Sequence, residues 1–182
     1  MYLRPVELAI LSVVLLAASF TDLTKRRVPN ILVGTGFLSL FFVRTVFDIA
    51  CLGDFMLGSI YPLGILGLLF VFGMMGAGDI KLFALCGAVT GVSDFNYLLL
   101  FSLIIGASYA LIKMVYKKNL VIRMQYLATY FTGLFQTKTI TPYYLEEEDD
   151  GNAISFAVFI FLGLLIYLYW RCLVNEINIG SL

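Results

Sequence analysis

Uncharged apolar runs recur along the chain, separated by short polar breaks. They cover residues 8–20, 31–43, 55–78, 82–93, 95–112 and 153–170. The third runs for 24 residues without a charge, whereas the fourth holds only 12. A helix that crosses a bilayer needs about 20 mostly apolar residues. The fourth helix must therefore begin by Gly78 or Asp79, which places Asp79 slightly below the interface. The pattern predicts an all-α, polytopic membrane protein with about six transmembrane helices. It shows no internal repeat and reads as one membrane-embedded domain over 1–182.

The breaks carry the local signals. Lys25, Arg26 and Arg27 follow the first run. No positive segment precedes that run and no small-residue cleavage site ends it, so it reads as a retained helix and not as a signal peptide. Pro29 pushes Val28 into an extended conformation, and Asn30 can cap the second helix. Arg44 and Asp48 stand four apart and can pair near the far membrane face. The polar stretch 92–96 reads as a turn that closes the fourth helix. Tyr167, Tyr169 and Trp170 read as an interfacial aromatic belt. Residues 113–152 form the one large polar loop. Within it, 121–135 can lie on the membrane surface as a short helix. Pro142 and the acidic run Glu146, Glu147, Glu148, Asp149 and Asp150 follow.

Composition sharpens this picture. The chain is 61% hydrophobic and 13% charged, with a mean hydropathy of +0.96. Both place it in the membrane class, in contact with lipid. A formal net charge of zero implies no basic field for nucleic acid. Histidine is absent. That removes histidine triads, histidine metal sites and the usual near-neutral proton shuttle. Cys51, Cys86 and Cys172 are far apart and form no CxxC, so no zinc or redox framework is implied. No metal and no cofactor is expected. The oligomeric state stays open.

Six spans alternate the loops. Lys25, Arg26, Arg27, Lys81, Lys113, Lys117, Lys118, Arg123 and Lys138 then share one side, and only Arg4, Arg44 and Arg171 lie elsewhere. The positive-inside rule makes the basic side cytoplasmic. Topology and charge agree.

On that side, Asp22 and Asp79 are the two carboxylates that stand singly at apolar helix ends. Two aspartates that approach closely cannot both ionise, so such a pair titrates as a unit. A dyad of this kind can activate a water for attack on a peptide carbonyl and protonate the leaving amine. Each residue also has a bland reading. Asp22 lies four before Arg26 and can pair with it. Asp79 can cap the fourth helix.

The sequence resembles the prepilin peptidases, membrane aspartic peptidases that process type IV pilins and related pseudopilins. Asp22, followed by Lys25, Arg26 and Val28-Pro29-Asn30, is similar to the family's first-aspartate segment. Gly76-Ala77-Gly78-Asp79-Ile80-Lys81-Leu82 is similar to its second, GxGDxKL. The segment from Ile154 to Gly163 is similar to the start of the family's last helix, without prolines often found there. The resemblance implies that Asp22 and Asp79 are the catalytic pair. It also implies a substrate whose short basic leader is removed just before an apolar helix, in a type IV pilus or protein secretion system. Gly76 and Gly78 would let the backbone bring Asp79 toward Asp22. Pro29, Asn30 and Lys81 match the motifs. Lys81 would point away from Asp79 and reads as a snorkelling anchor. The acidic run 146–150 can attract a basic leader, or be only a solvated segment. The paired CxxC motifs of larger family members, associated with N-methylation, are missing, so methyl transfer is not predicted.

Three other readings stay open: an ion- or proton-coupled transporter using the same aspartates, a non-catalytic scaffold of an export machine, and a presenilin-like GxGD protease. The transporter reading would be favoured by broken helices at matched positions and an internal repeat. A presenilin-like enzyme would carry its first aspartate inside a helix, whereas Asp22 stands at a helix end.

Overall fold

The computed structural model describes residues 4–47, 51–73, 75–117 and 155–180. These fold into five helices: α1 (Pro5–Lys25), α2 (Asn30–Phe47), α3 (Leu52–Val71), α4 (Ala77–Tyr116) and α5 (Phe156–Gly180). All five are long and apolar enough to cross a membrane. The fold is all-α and the spans are those of a multi-pass membrane protein.

The expected fourth and fifth spans are joined in α4, a 40-residue element broken at Gly91. Gly91 has φ 77° and ψ 168°, a conformation open essentially to glycine alone. In a straight helix Phe83 and Phe95 would lie about 18 Å apart along the axis. Their ring centroids are 5.9 Å apart, so the chain folds back at Gly91. The arms, 77–90 and 92–116, thus occupy the places of two spans. The break falls just before the polar stretch 92–96, which is helical.

The first arm is the centre of the molecule. Every residue from Leu82 to Gly91 is buried. A helix that is apolar all round belongs inside a core. Its neighbours are protein and not lipid, so an arm shorter than the bilayer and a break at Gly91 are tolerated. Small residues let the neighbours close in. Gly58 of α3 lies backbone to backbone against Gly87 of the first arm. Pro62 removes the N–H that would bond the Gly58 carbonyl, which is the atom turned toward Gly87. Close approach of this kind is the main source of helix association in lipid.

The remaining helices pack antiparallel to their neighbours. Gly36 of α2 sits against Val14 of α1, and Arg44 of α2 against Glu7 of α1. Tyr97 of the second arm stacks on Trp170 of α5, while Tyr109 meets Phe159. This alternation brings the end of α1, the start of α2 and the starts of α4 and α5 to one end of the bundle. The start of α1, the Gly91 bend and Arg171 lie at the other.

Two ion pairs stand at that second end. Arg44 and Glu7, 2% and 1% exposed, form an ion pair at 3.0 Å. The expected partner of Arg44, Asp48, lies outside the described residues. Arg171 pairs with Asp94 at 2.6 Å. Tyr167 donates its hydroxyl to the same carboxylate at 2.9 Å. The expected aromatic belt is therefore mostly internal. Tyr167 is buried, Trp170 packs on Tyr97 and Phe101, and Tyr169 alone of the three is largely exposed. Their helix needs those rings to close its seam with the second arm.

Candidate active site

Asp22 stands in the last turn of α1. The helix ends at Arg26, which takes the left-handed conformation at φ 51° and donates its N–H to the Asp22 carbonyl at 2.9 Å. The cap uses the Asp22 backbone and leaves its carboxylate available. That carboxylate is half-buried and turns toward α5. The Ala157 N–H reaches Asp22 Oδ2 at 3.4 Å, and the Ser155 hydroxyl donates to the same group. A helix N-terminus with its open N–H groups is a natural seat for a carboxylate.

Asp79 is the third residue of α4. Gly76 is the N-cap, with φ −71° and ψ 146°, and its N–H donates to the Asp79 carboxylate. This is the return half of a capping box, in which an acid at the third position satisfies the N-cap donor. The expected N-cap role thus falls to Gly76, and Asp79 stands at the third helical position as the acceptor of its N–H. The Asp22 and Asp79 carboxylates are close enough for their charges to interact. The other acids with described side chains, Glu7, Asp54 and Asp94, stand at the opposite end of the bundle.

The glycines of the motif work through space more than through flexibility. Neither Gly76 nor Gly78 has a positive φ. A Cβ on Gly78 would lie 3.2 Å from the Val28 Cβ, so the loop after α1 seats directly on the first turn of α4. Lys81 Nζ donates to Asn30 Oδ1 at 2.8 Å. Two expectations change here. Asn30 is the first residue of α2 and not its cap; the Pro29 carbonyl takes the Leu32 and Val33 N–H groups, and the Asn30 side chain holds Lys81. Lys81 points away from Asp79, as helical spacing requires, but reaches a specific partner. Arg26 serves Asp22 through the cap, its N–H on the Asp22 carbonyl.

Sequence reasoning missed Ser155 and the Ala157 N–H as partners of Asp22. Their one signal was the likeness of the segment from Ile154 to Gly163 to a family helix. The acidic run 146–150 and the surface-helix segment 121–135 lie outside the described residues. Among the described residues no three metal-ligating side chains cluster.

A bundle of spanning helices that gathers two aspartates from separate helices at one polar end defines a multi-pass membrane protein with a paired-carboxylate site. The chain belongs to the type IV leader peptidase family, whose model matches residues 9–111, more than half of its length. Both aspartates lie within the match. Neither a curated protein nor a solved structure matches the chain.

Proposed function

We propose that the chain is a membrane aspartic endopeptidase. It removes the short basic leader from type IV prepilin-like or pseudopilin precursors at the cytoplasmic membrane face. The observation that carries this reading is the meeting of Asp22 and Asp79 at one end of the bundle. Family membership supplies peptide hydrolysis, and the pair supplies the chemistry. One aspartate, ionised, takes a proton from a water whose oxygen bonds the scissile carbonyl carbon. The other, protonated, gives its proton to the carbonyl oxygen. The tetrahedral intermediate then collapses, the C–N bond breaks and the amine leaves protonated. Holding water and peptide between two fixed carboxylates supplies much of the rate through proximity. The acidic run Glu146–Asp150 is proposed to draw the basic leader to this face by long-range attraction, an effect that salt screens over about 8 Å.

The test is co-expression with a pilin-like substrate. Asp22→Asn and Asp79→Asn are each expected to abolish leader removal while membrane insertion is unchanged. Near-normal cleavage by either variant would sink the dyad mechanism.

A further inference from the structure

We infer that Asn30 and Lys81 form a tether that sets the separation of Asp22 and Asp79, which makes both of them positioning residues. This rests on the proposed function and deepens it.

The argument begins with connectivity. Asp22 sits just before the end of α1, and Arg26 reverses the chain. The chain then runs through Val28 and Pro29 to Asn30. Lys81 follows Asp79 on the first turns of α4. Successive helical residues are turned by about 100°, so Lys81 projects to the side of the helix away from Asp79. It cannot act on the reacting atoms directly, and it meets Asn30 instead at 2.8 Å. One hydrogen bond therefore closes a short ring: from Asp22 through the turn to Asn30, across to Lys81, and back to Asp79. Val28 against Gly78 is a second point of the same docking, tight enough that a Cβ on Gly78 would press on Val28 at 3.2 Å. The two contacts seat the α1–α2 turn in one register on the start of α4. Asp79 is in turn fixed on that start by Gly76. Loosening the tether would let the end of α1 move relative to α4, and a shift of about 1 Å at a reacting centre can lower a rate by about a hundredfold.

The same pair has a competing role. Asn30 and Lys81 head an apolar groove of about 470 Å³ between α2, α3 and α4, lined further by Phe37, Leu38, Leu63 and Ala84. A substrate helix lying there would touch Lys81, and Lys81 would then be a binding residue. Kinetics separate the two roles.

Asn30→Ala is the main variant because it removes the acceptor without changing a charge. Lys25, Arg26, Arg27, Lys81, Lys113 and Lys117 are the described cations at this end, and all are retained in it. The starts of α2 and α5 and the end of α3 add no charged side chain within their terminal turns. Leader removal is measured on purified, detergent-solubilised protein against a pilin-like peptide, as kcat, KM and a pH–rate profile. Asn30→Ala is expected to lower kcat by about tenfold to a hundredfold with KM within about twofold. The two limbs of its pH profile should draw together, since the interaction between the carboxylates weakens as they separate. Lys81→Ala should lower kcat similarly, and the double variant should lose no more than the worse single one. Asn30→Asp, which keeps an acceptor for Lys81, should retain kcat within about threefold, because a charged acceptor strengthens the bond. If Asn30→Ala does not stay folded, Asn30→Asp and Lys81→Arg carry the test, and a large loss of kcat in both would overturn the tether. A raised KM with unchanged kcat in Asn30→Ala or Lys81→Ala would overturn it in favour of substrate contact. So would full activity in Asn30→Ala, or strict additivity in the double variant. An inactive parent would instead count against the proposed function.

Discussion

Ser155 and Asp22 are separated by most of the chain, yet the hydroxyl of one donates to the carboxylate of the other. Ser155 immediately precedes α5, where a serine commonly caps its own helix. Its bond to Asp22, with the Ala157 N–H beside it, holds one carboxylate oriented from the α5 side. Ser155→Ala is expected to lower kcat by about tenfold, the scale of one hydrogen bond to a charged group at a partly exposed site, with little change in KM. An unchanged kcat would show that the α5 N–H groups hold Asp22 alone. Single acids at apolar helix ends were legible in the sequence because charge is rare there and each example stands out. Partners were not. Lys81 and Asn30, like Ser155 and Asp22, meet through tertiary contact, and no local spacing rule reports such a contact.

At the scale of elements, hydropathy located every described helix, and the start it gave α4 lies next to the observed one although the first arm is shorter than a span. The error lay in the break. Residues 92–96 look like a loop by composition, but Val92 and Ser93 are helical, and Asp94 is polar because Arg171 and Tyr167 require an acceptor there. The turn itself rests on one glycine, Gly91. Its conformation is strained for any residue with a Cβ, so Gly91→Ala should destabilise the bundle by about 1–3 kcal/mol. Gly58→Val should cost more, since its side chain would enter the Gly87 backbone. Thermal unfolding in detergent would order these two variants, and a Gly91→Ala protein as stable as the parent would remove the bend's dependence on glycine. Gly87 carries the same lesson. A glycine in an apolar run reads as a weak helix former, and its value appears only when α3 is laid against it.

For the whole molecule, the two ends of the bundle differ in kind. Lys25, Arg26, Arg27, Lys81, Lys113 and Lys117 crowd the end that holds the aspartate pair. At the opposite end Arg44 and Arg171 are neutralised by Glu7 and Asp94. Among the described residues the basic side chains therefore crowd one end, and positive charge beside a span is retained on the cytoplasmic side. We accordingly propose that the paired-aspartate end faces the cytoplasm and the Gly91 bend faces outward. Ser93 offers a reporter of the outer end. It is exposed, and it lines an open pocket of about 240 Å³ with Asp54, Thr90 and Asp94, where water can reach it. Lys25, exposed at the end of α1, reports the other side. With Cys51, Cys86 and Cys172 replaced by alanine, Ser93→Cys should react with a membrane-impermeant maleimide added outside intact cells. Lys25→Cys should react only after the membrane is opened. The reverse labelling pattern would place the aspartates outside, where a leader that stays in the cytoplasm could not reach them, and would overturn both the orientation and the substrate proposed for this site.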